Sequence, residues 1–391
     1  MNRIVAVLLL LLAGASAQAA GLDAFLARHW ADPLPPQGEP PPGYSPLEAR
    51  LDPEACAACH RAQWEAWKGS RHARAMGPGV LGQLLTFAPE AAAACRRCHA
   101  PLAEQDPAAG PAAERLQRQG LVCAACHVRA HVRYGPPPRR DPDARGPVGS
   151  SGPHGGFVAT PAFEQSAFCS VCHQFGPDGY ALEGKPLENT VEEWRTSDWA
   201  AKGVQCQGCH MPEREHLWRG IHDPDTVARA VTVDVDFQEA SARRVRATIT
   251  VRNTGTGHHF PTYVTPKVFL RAVLVDAAGR ALGETLQEAV IGREVTPDLS
   301  AEVYDTRIPA GEAFAALYDA PRPAGVAALQ VWLTVDPDHF YRRFFESLLP
   351  QMPDGEPQTL IALALDETRR APFDVLRRQI PLPPPAAPGG D

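Results

Sequence analysis

Ten cysteines and five histidines recur in one short pattern, Cys-x-x-Cys-His, which could carry redox chemistry. Every cysteine of the chain belongs to such a pair, and a histidine directly follows each pair. The pairs are Cys56/Cys59, Cys95/Cys98, Cys123/Cys126, Cys169/Cys172 and Cys206/Cys209, followed by His60, His99, His127, His173 and His210. In this motif two thiols add to the vinyl groups of haem, and the histidine becomes the proximal iron ligand. The spacing therefore predicts five covalently attached c-type haems.

Zinc binding and disulfide formation are the two other uses of paired cysteines. A structural zinc site would combine each pair with a second pair of ligands elsewhere in the chain. An even number of cysteines in an exported chain could instead form disulfides. Neither use explains a histidine directly after every pair, so we favour haem attachment.

Nine further histidines are available as second axial ligands for the five irons. An iron that only carries electrons takes such a ligand, whereas a catalytic iron keeps that position open. There are enough histidines to close every site, so counting them does not decide between these cases. The distal candidates that we favour are His72, His154, His222 and His258. We expect two others to be structural or exposed, namely His29 and His339.

His72 follows the first motif in a tryptophan-rich segment. Trp64 and Trp67 are three residues apart and would share one face of a helix. The same pattern returns before the fifth motif, and aligning the two copies places Trp199 where the first copy has His72. The second copy thus lacks the candidate ligand. A glycine that we expect in a turn precedes the third and fifth motifs, Gly120 and Gly203.

The other distal candidates lie in loops. His154 belongs to Ser-Ser-Gly-Pro-His-Gly-Gly, a connection that could carry a ligand to an iron. His216 and His222 follow the fifth motif, and of the two we favour His222. His258 lies in a Gly-His-His-Phe-Pro loop, where a histidine pair is out of place for a plain turn. His131 comes four residues after the third motif and would serve only a neighbouring haem.

The amino terminus predicts export. A short n-region precedes the apolar run 4–12, and small residues around 15–19 fit a cleavage site, so residues 1–19 are predicted to be a signal peptide. The destination is the periplasm or beyond. No later stretch reaches the roughly 18 apolar residues of a membrane span. The net charge of −7, without a basic run, excludes a nucleic-acid partner.

The chain predicts an α+β multidomain fold. Hydrophobic residues make up 44% and charged residues 21%, as in ordinary globular proteins. We expect a Pro-rich segment at 20–50, a pentahaem cytochrome c domain of helices and loops at 51–224, a β-sandwich domain at 225–370 and a disordered Pro/Gly-rich tail at 371–391. The predicted strands are Val231–Phe237, Val245–Val251, Val268–Val275, Leu329–Val335 and Thr359–Leu365, and Asp338–Leu349 is predicted to be a helix.

The chain resembles multihaem cytochromes c of the cytochrome c-554 type. This group shares its haem packing with hydroxylamine oxidoreductase and pentahaem nitrite reductase. The resemblance rests on the five motifs, on Trp-Lys-Gly-Ser-Arg-His72, on Cys-His-Met-Pro212 and on the loop around His258. It implies stacked haems with two histidine ligands each, and His72, His222 and His258 as distal ligands. All five motifs end in histidine, whereas the nitrite reductase usually has a lysine in its catalytic motif.

These features favour an electron-transfer protein over an enzyme. It would exchange electrons with redox partner proteins, such as a quinol-oxidising membrane protein or other cytochromes. The alternative is an oxidoreductase that acts on a small nitrogen or sulfur compound at one open haem. A third hypothesis makes the β domain a docking module for a partner cytochrome.

Overall fold

A computed structural model describes residues 20–383. The predicted signal peptide, 1–19, and the last part of the tail, 384–391, lie outside the described residues. The chain forms two compact units, each made of two stretches of sequence. Within the described residues, the first unit joins 20–172 with Gln205–Trp218, and the second joins His173–Val204 with 219–383. Within the described residues no helix is long and apolar enough to cross a membrane.

The helices are short in the first half of the chain and longer near its end. The first, α1, covers residues 20–29. The others are α2 (Pro53–Ala57), α3 (Arg61–Lys68), α4 (Pro78–Leu84), α5 (Pro89–His99), α6 (Pro111–Gln117), α7 (Cys123–His127), α8 (Ser170–His173), α9 (Thr190–Arg195), α10 (Asp198–Ala201), α11 (Cys206–His210), α12 (Pro224–Ala230), α13 (His339–Leu348) and α14 (Glu356–Arg370).

The strands are short up to residue 186 and mostly longer after residue 230. They are β1 (Val128–Arg129), β2 (Val132–Gly135), β3 (Gly146–Val148), β4 (Phe157–Ala159), β5 (Ala181–Leu182), β6 (Lys185–Pro186), β7 (Val231–Ala240), β8 (Arg244–Asn253), β9 (Lys267–Asp276), β10 (Gln287–Ile291), β11 (Arg293–Val295), β12 (Glu302–Asp305), β13 (Ala313–Pro321), β14 (Val326–Asp336) and β15 (Phe373–Pro381).

The first unit consists of helical turns joined by loops and one small sheet. The sheet has the order β1-β2-β4-β3. A small core surrounds the third motif helix, where Val122, Ala124 and Ala125 are almost completely buried. The Pro-rich segment contributes Leu34 to this core, and Gln37 donates a hydrogen bond to Val128 O, so the segment packs on the third motif.

The second unit contains two antiparallel sheets around one apolar core. One sheet has the order β10-β9-β14-β15 and the other β13-β8-β7. Alternate residues of β8 are buried, as expected for a strand with one face on a core. The core draws on both sheets, for example on Ile249 of β8 and on Leu274 and Leu333 of β9 and β14. The predicted α+β fold class is confirmed, and four of the five predicted strands lie within β7, β8, β9 and β14.

Two predictions for the end of the chain are wrong. The segment Thr359–Leu365 lies within helix α14 and is not a strand, because its buried residues Ile361, Ala364 and Leu365 follow the helical period. The predicted disordered tail is ordered over Phe373–Pro381, which pairs with β14 as strand β15. The predicted helix Asp338–Leu349 is confirmed as α13.

The stretch 173–204 groups with the β sheets, although we expected it in the cytochrome domain. Ion pairs explain this grouping. Lys185 lies 2.6 Å from Glu302, and Arg307 lies 3.0 Å from Glu193. The two sheets and the segment between the fourth and fifth motifs therefore form one unit.

Candidate haem-binding site

The Cys-x-x-Cys-His motifs lie on helical turns or directly after them. Helices α7 and α11 coincide with the third and fifth motifs, α5 and α8 end at the second and fourth motif histidines, and α2 contains the first cysteine of the first motif. Residues three and four positions apart lie on one side of a turn. This local structure brings two thiols and an imidazole to the same side, as attachment to one haem requires.

Cys59, the second thiol of the first motif, is exposed to solvent, whereas Cys56 is half-buried and hydrogen-bonded to the Cys123 thiol. The physical reason is that helix α2 ends at Ala57, so Cys59 lies in the following turn and does not enter the interior with Cys56. The assignment of Cys59 to haem therefore depends on the spacing of the motif and not on its position in the fold. Cys209 of the fifth motif is exposed as well.

Three proximal histidines have their Nδ1 atom engaged by an oxygen. Nδ1 of His99 lies 2.5 Å from Ala75 O, and Nδ1 of His127 lies 2.8 Å from Tyr134 O. Nδ1 of His173 lies 3.0 Å from the Tyr263 hydroxyl. A histidine that ligates a metal through one nitrogen usually donates its other N–H to such a partner. These residues therefore fit iron ligation through Nε2.

Burial favours the neutral forms of two residues of the third motif, His127 and Cys126. Burial lowers the pKa of His127 to about 4, so its imidazole is neutral, and the ring stacks on Phe163 at 5.0 Å. Burial also raises the pKa of the Cys126 thiol to about 11. All ten cysteines lie within the described residues and none forms a disulfide.

The attachment points of different motifs are adjacent in the first unit. Thiols from separate motifs form three hydrogen-bonded pairs, Cys56–Cys123, Cys98–Cys172 and Cys169–Cys206. These contacts connect the first motif with the third, the second with the fourth and the fourth with the fifth. The first and third motifs are thus adjacent, and the second, fourth and fifth motifs form another adjacent group.

His72 belongs to the first copy of the repeated element. Trp67 donates its indole N–H to Leu121 O at 2.8 Å, and Leu121 N donates to His72 O at 2.9 Å. Gly120 makes this approach possible. It has a φ of 68°, and a Cβ there would lie 2.7 Å from His72 O. The expected turn glycine is therefore confirmed, and it connects the His72 segment with the third motif.

The second copy repeats the same hydrogen bonds. Trp194 donates its indole N–H to Val204 O at 2.8 Å, and Val204 N donates to Trp199 O at 3.0 Å. Gly203 has a φ of 75°. Trp199 therefore occupies the backbone position of His72, as the alignment predicts, and it offers no iron ligand there.

The loop 254–263, which we call the histidine loop, packs against this second copy. A Cβ at Gly257 would lie 3.1 Å from the Trp194 ring and 3.2 Å from Trp199 Cβ, so a larger residue would require these side chains to shift. The next residue is His258, whose Nδ1 lies 2.9 Å from His259 O. The loop thus places a histidine beside the element that lacks one.

The buried carboxylate of Glu193 anchors the histidine loop. One of its oxygens accepts hydrogen bonds from His259 N at 3.1 Å and from the Thr262 hydroxyl at 2.6 Å. The other accepts from Arg307 at 3.0 Å, and Arg307 also donates to Thr262 O at 2.7 Å. No local sequence pattern marks Glu193, because its partners lie more than 60 residues away along the chain.

The His154 loop is more ordered than its glycine content suggests. The backbone N–H of His154 donates a hydrogen bond to the Glu48 carboxylate. The Tyr44 hydroxyl lies 3.0 Å from His154 O and 2.9 Å from His131 O. Hydrogen bonds from the Ser45 hydroxyl and from His154 N lower the pKa of Glu48 to about 2. His154 Nδ1 lies 2.8 Å from Gly156 O.

The structure separates His216 and His222. His216 lies in the first unit, with Nδ1 at 3.0 Å from Arg214 O and its ring 6.1 Å from that of His127. Burial lowers its pKa, which keeps the imidazole neutral. His222 lies in the second unit, and its Nε2 is 2.9 Å from the Asp338 carboxylate. That contact occupies the nitrogen which an iron would take, so His216 is the better candidate of the two.

The remaining histidines have structural partners. His29 is only 3% exposed, and its Nε2 lies 2.7 Å from Cys126 O. Burial lowers the pKa of His29 to about 3. His131 places Nε2 at 3.0 Å from Gly38 O, and His339 pairs with the buried Asp336.

Comparisons with known proteins agree with the haem interpretation. Residues 55–128 match the family described as cytochrome c554 and c-prime. This match covers about a fifth of the chain and includes the first three motifs and His72. No curated protein matches the chain.

One solved structure has the same fold over most of the chain. It is a penta-haem cytochrome c552 from Thermochromatium tepidum, with 21% identity, a TM-score of 0.61 and coverage of 86% of this chain and 100% of that chain. A β-glucuronidase from Bacteroides uniformis also matches, with 14% identity, coverage of 27% of this chain and 11% of that chain, and a TM-score of 0.16. The putative ApaA protein from Bordetella pertussis has 14% identity, coverage of 39% and 92%, and a TM-score of 0.18. The last two matches are too weak to bear on the fold.

Proposed function

Because this chain is a multihaem cytochrome c of the cytochrome c554 type, we propose that it is a periplasmic pentahaem protein that passes electrons between redox partners. The adjacent thiols of different motifs carry this proposal most directly. They bring the attachment points of different haems together, as electron transfer from haem to haem requires. When bound, the haems supply the Fe(III)/Fe(II) couples.

The chain's own residues would hold the irons and set their electronics. The five motif histidines serve as proximal ligands. For the distal positions we propose His72, His154, His216 and His258. His216 replaces His222, the choice that the sequence favoured, because the Nε2 atom of His222 faces Asp338. His258 supplies the ligand that Trp199 cannot supply in the second copy of the repeat.

Four distal histidines for five irons also support a second candidate function. The iron without an assigned distal histidine could stay open and bind a small substrate. The protein would then be an oxidoreductase for a small nitrogen or sulfur compound. We favour the carrier, since the buried Met76 remains in the first unit as a further potential ligand.

Export and docking complete the proposal. The signal peptide would place the protein in the periplasm, where c-type haems are attached. Its partners would be a quinol-oxidising membrane protein or other cytochromes, and the β-sandwich would provide a surface for one of them.

Spectroscopy of the purified holoprotein separates the two functions. For a carrier we expect no CO-induced shift in the reduced spectrum and only low-spin signals in the low-temperature EPR spectrum of the oxidised protein. A CO adduct with one haem in five, together with a high-spin signal, would contradict the carrier and support the oxidoreductase.

A further inference from the structure

The histidine loop contacts a proximal ligand through a tyrosine. Tyr263 ends this loop, and its hydroxyl oxygen lies 3.0 Å from Nδ1 of His173, the histidine of the fourth motif. The second and third motifs differ, because Nδ1 of His99 and of His127 faces a backbone carbonyl. The fourth motif therefore has a side-chain partner that a single substitution can remove.

The protonation of a bound histidine fixes the direction of this hydrogen bond. A neutral imidazole that binds iron through Nε2 carries its proton on Nδ1. Nδ1–H of His173 then donates, and the oxygen of Tyr263 accepts. Such a hydrogen bond raises the basicity of the ligand, which favours Fe(III) over Fe(II).

From this geometry we propose that Tyr263 sets the reduction potential of the fourth haem by accepting the Nδ1–H hydrogen bond of His173. The inference rests on the proposed haem attachment at the fourth motif. It assigns to the β-sandwich unit a role in tuning one haem, in addition to presenting His258.

The residues on both sides of Tyr263 are anchored, which restrains the position of the tyrosine. On one side, the Thr262 hydroxyl donates to Glu193 at 2.6 Å. On the other side, the buried Lys267 donates to Val264 O at 3.2 Å. An acceptor in a fixed position can accept the hydrogen bond from His173 whether the iron is Fe(III) or Fe(II). The Tyr263 oxygen would therefore shift the reduction potential of the fourth haem by a constant amount.

Tyr263→Phe tests the proposal, because it removes only the hydroxyl oxygen. The five potentials are measured by spectroelectrochemical titration of the holoprotein. We expect one potential to rise, with the Fe(II) form of that haem favoured about tenfold, which is about 59 mV for a one-electron couple. The other four potentials should stay in place, and the haem content and the circular dichroism spectrum should match those of the wild type.

Tyr180→Phe is the matched control, since Tyr180 lies in the same unit and its hydroxyl contacts Leu299 O at 3.4 Å. It should leave all five potentials unchanged. Unchanged potentials in Tyr263→Phe, or the same rise in Tyr180→Phe, would overturn the proposal. A haem count that leaves the fourth motif empty would overturn the proposed attachment instead, so the two failures are distinguishable.

Discussion

The hydrogen-bond partners of the two ring nitrogens, Nδ1 and Nε2, indicate which histidines of this protein are suited to bind iron. His216 and His258 both place Nδ1 near a backbone carbonyl, which makes Nε2 the ligating nitrogen. His222 places Nε2 itself on Asp338. The partner of His222 lies 116 residues away in the chain, so no local pattern distinguishes it from His216.

Substitution of these two histidines should have opposite effects. We expect His216→Ala to open one haem, which would then bind CO and give a high-spin EPR signal. His222→Ala should leave the haem spectra unchanged and lower the free energy of unfolding by about 1 kcal/mol or less, because its ion pair with Asp338 is partly exposed. A CO-binding haem in His222→Ala, with none in His216→Ala, would restore His222 as the ligand.

At the scale of elements, the sequence repeat predicts the local structure well. Trp67 and Trp194 make equivalent indole hydrogen bonds, and Trp199 takes the backbone position of His72. Periodicity also locates four of the strands. It fails for Thr359–Leu365, because alternating small and large apolar residues fit a strand as well as a helix with one buried face. Tertiary contacts with α13 decide that case.

The histidine loop depends on Glu193, and this dependence gives a second prediction. Glu193→Ala removes a buried carboxylate and leaves the guanidinium of Arg307 with fewer partners. Arg307 keeps its ion pair with Asp305 at 2.8 Å, so the main cost is that of leaving buried hydrogen-bond donors such as the Thr262 hydroxyl unsatisfied, about 1–3 kcal/mol. We expect a loss of that size in urea unfolding of the holoprotein, together with CO binding at one haem as His258 loses its position.

Glu192→Ala provides the control on the same helix. Glu192 pairs with Arg195 at 2.7 Å, and both side chains are about half exposed. Its removal should change stability by less than about 0.5 kcal/mol and leave the haem spectra unchanged. Equal effects of the two substitutions would show that the loop does not depend on Glu193.

At the scale of the whole molecule, the fold class follows from the sequence, but the number of the elements and their grouping do not. The cysteine motifs predict the haem region, and alternation predicts the sheets. The assignment of 173–204 to the second unit depends on ion pairs such as Lys185–Glu302, whose partners are more than 100 residues apart. The strand Phe373–Pro381 likewise depends on pairing with β14, which its proline-rich flank conceals.

If all five motifs carry covalent haem, the holoprotein contains five haems per chain. The haem-to-protein ratio therefore tests the proposed haem attachment most directly. Intact-mass spectrometry under denaturing conditions, combined with a pyridine haemochrome assay, measures this ratio. We predict five haems per chain, with each cysteine pair converted to two thioethers, including the exposed Cys59. Fewer than five, with free thiols or bound zinc at the remaining motifs, would contradict the account.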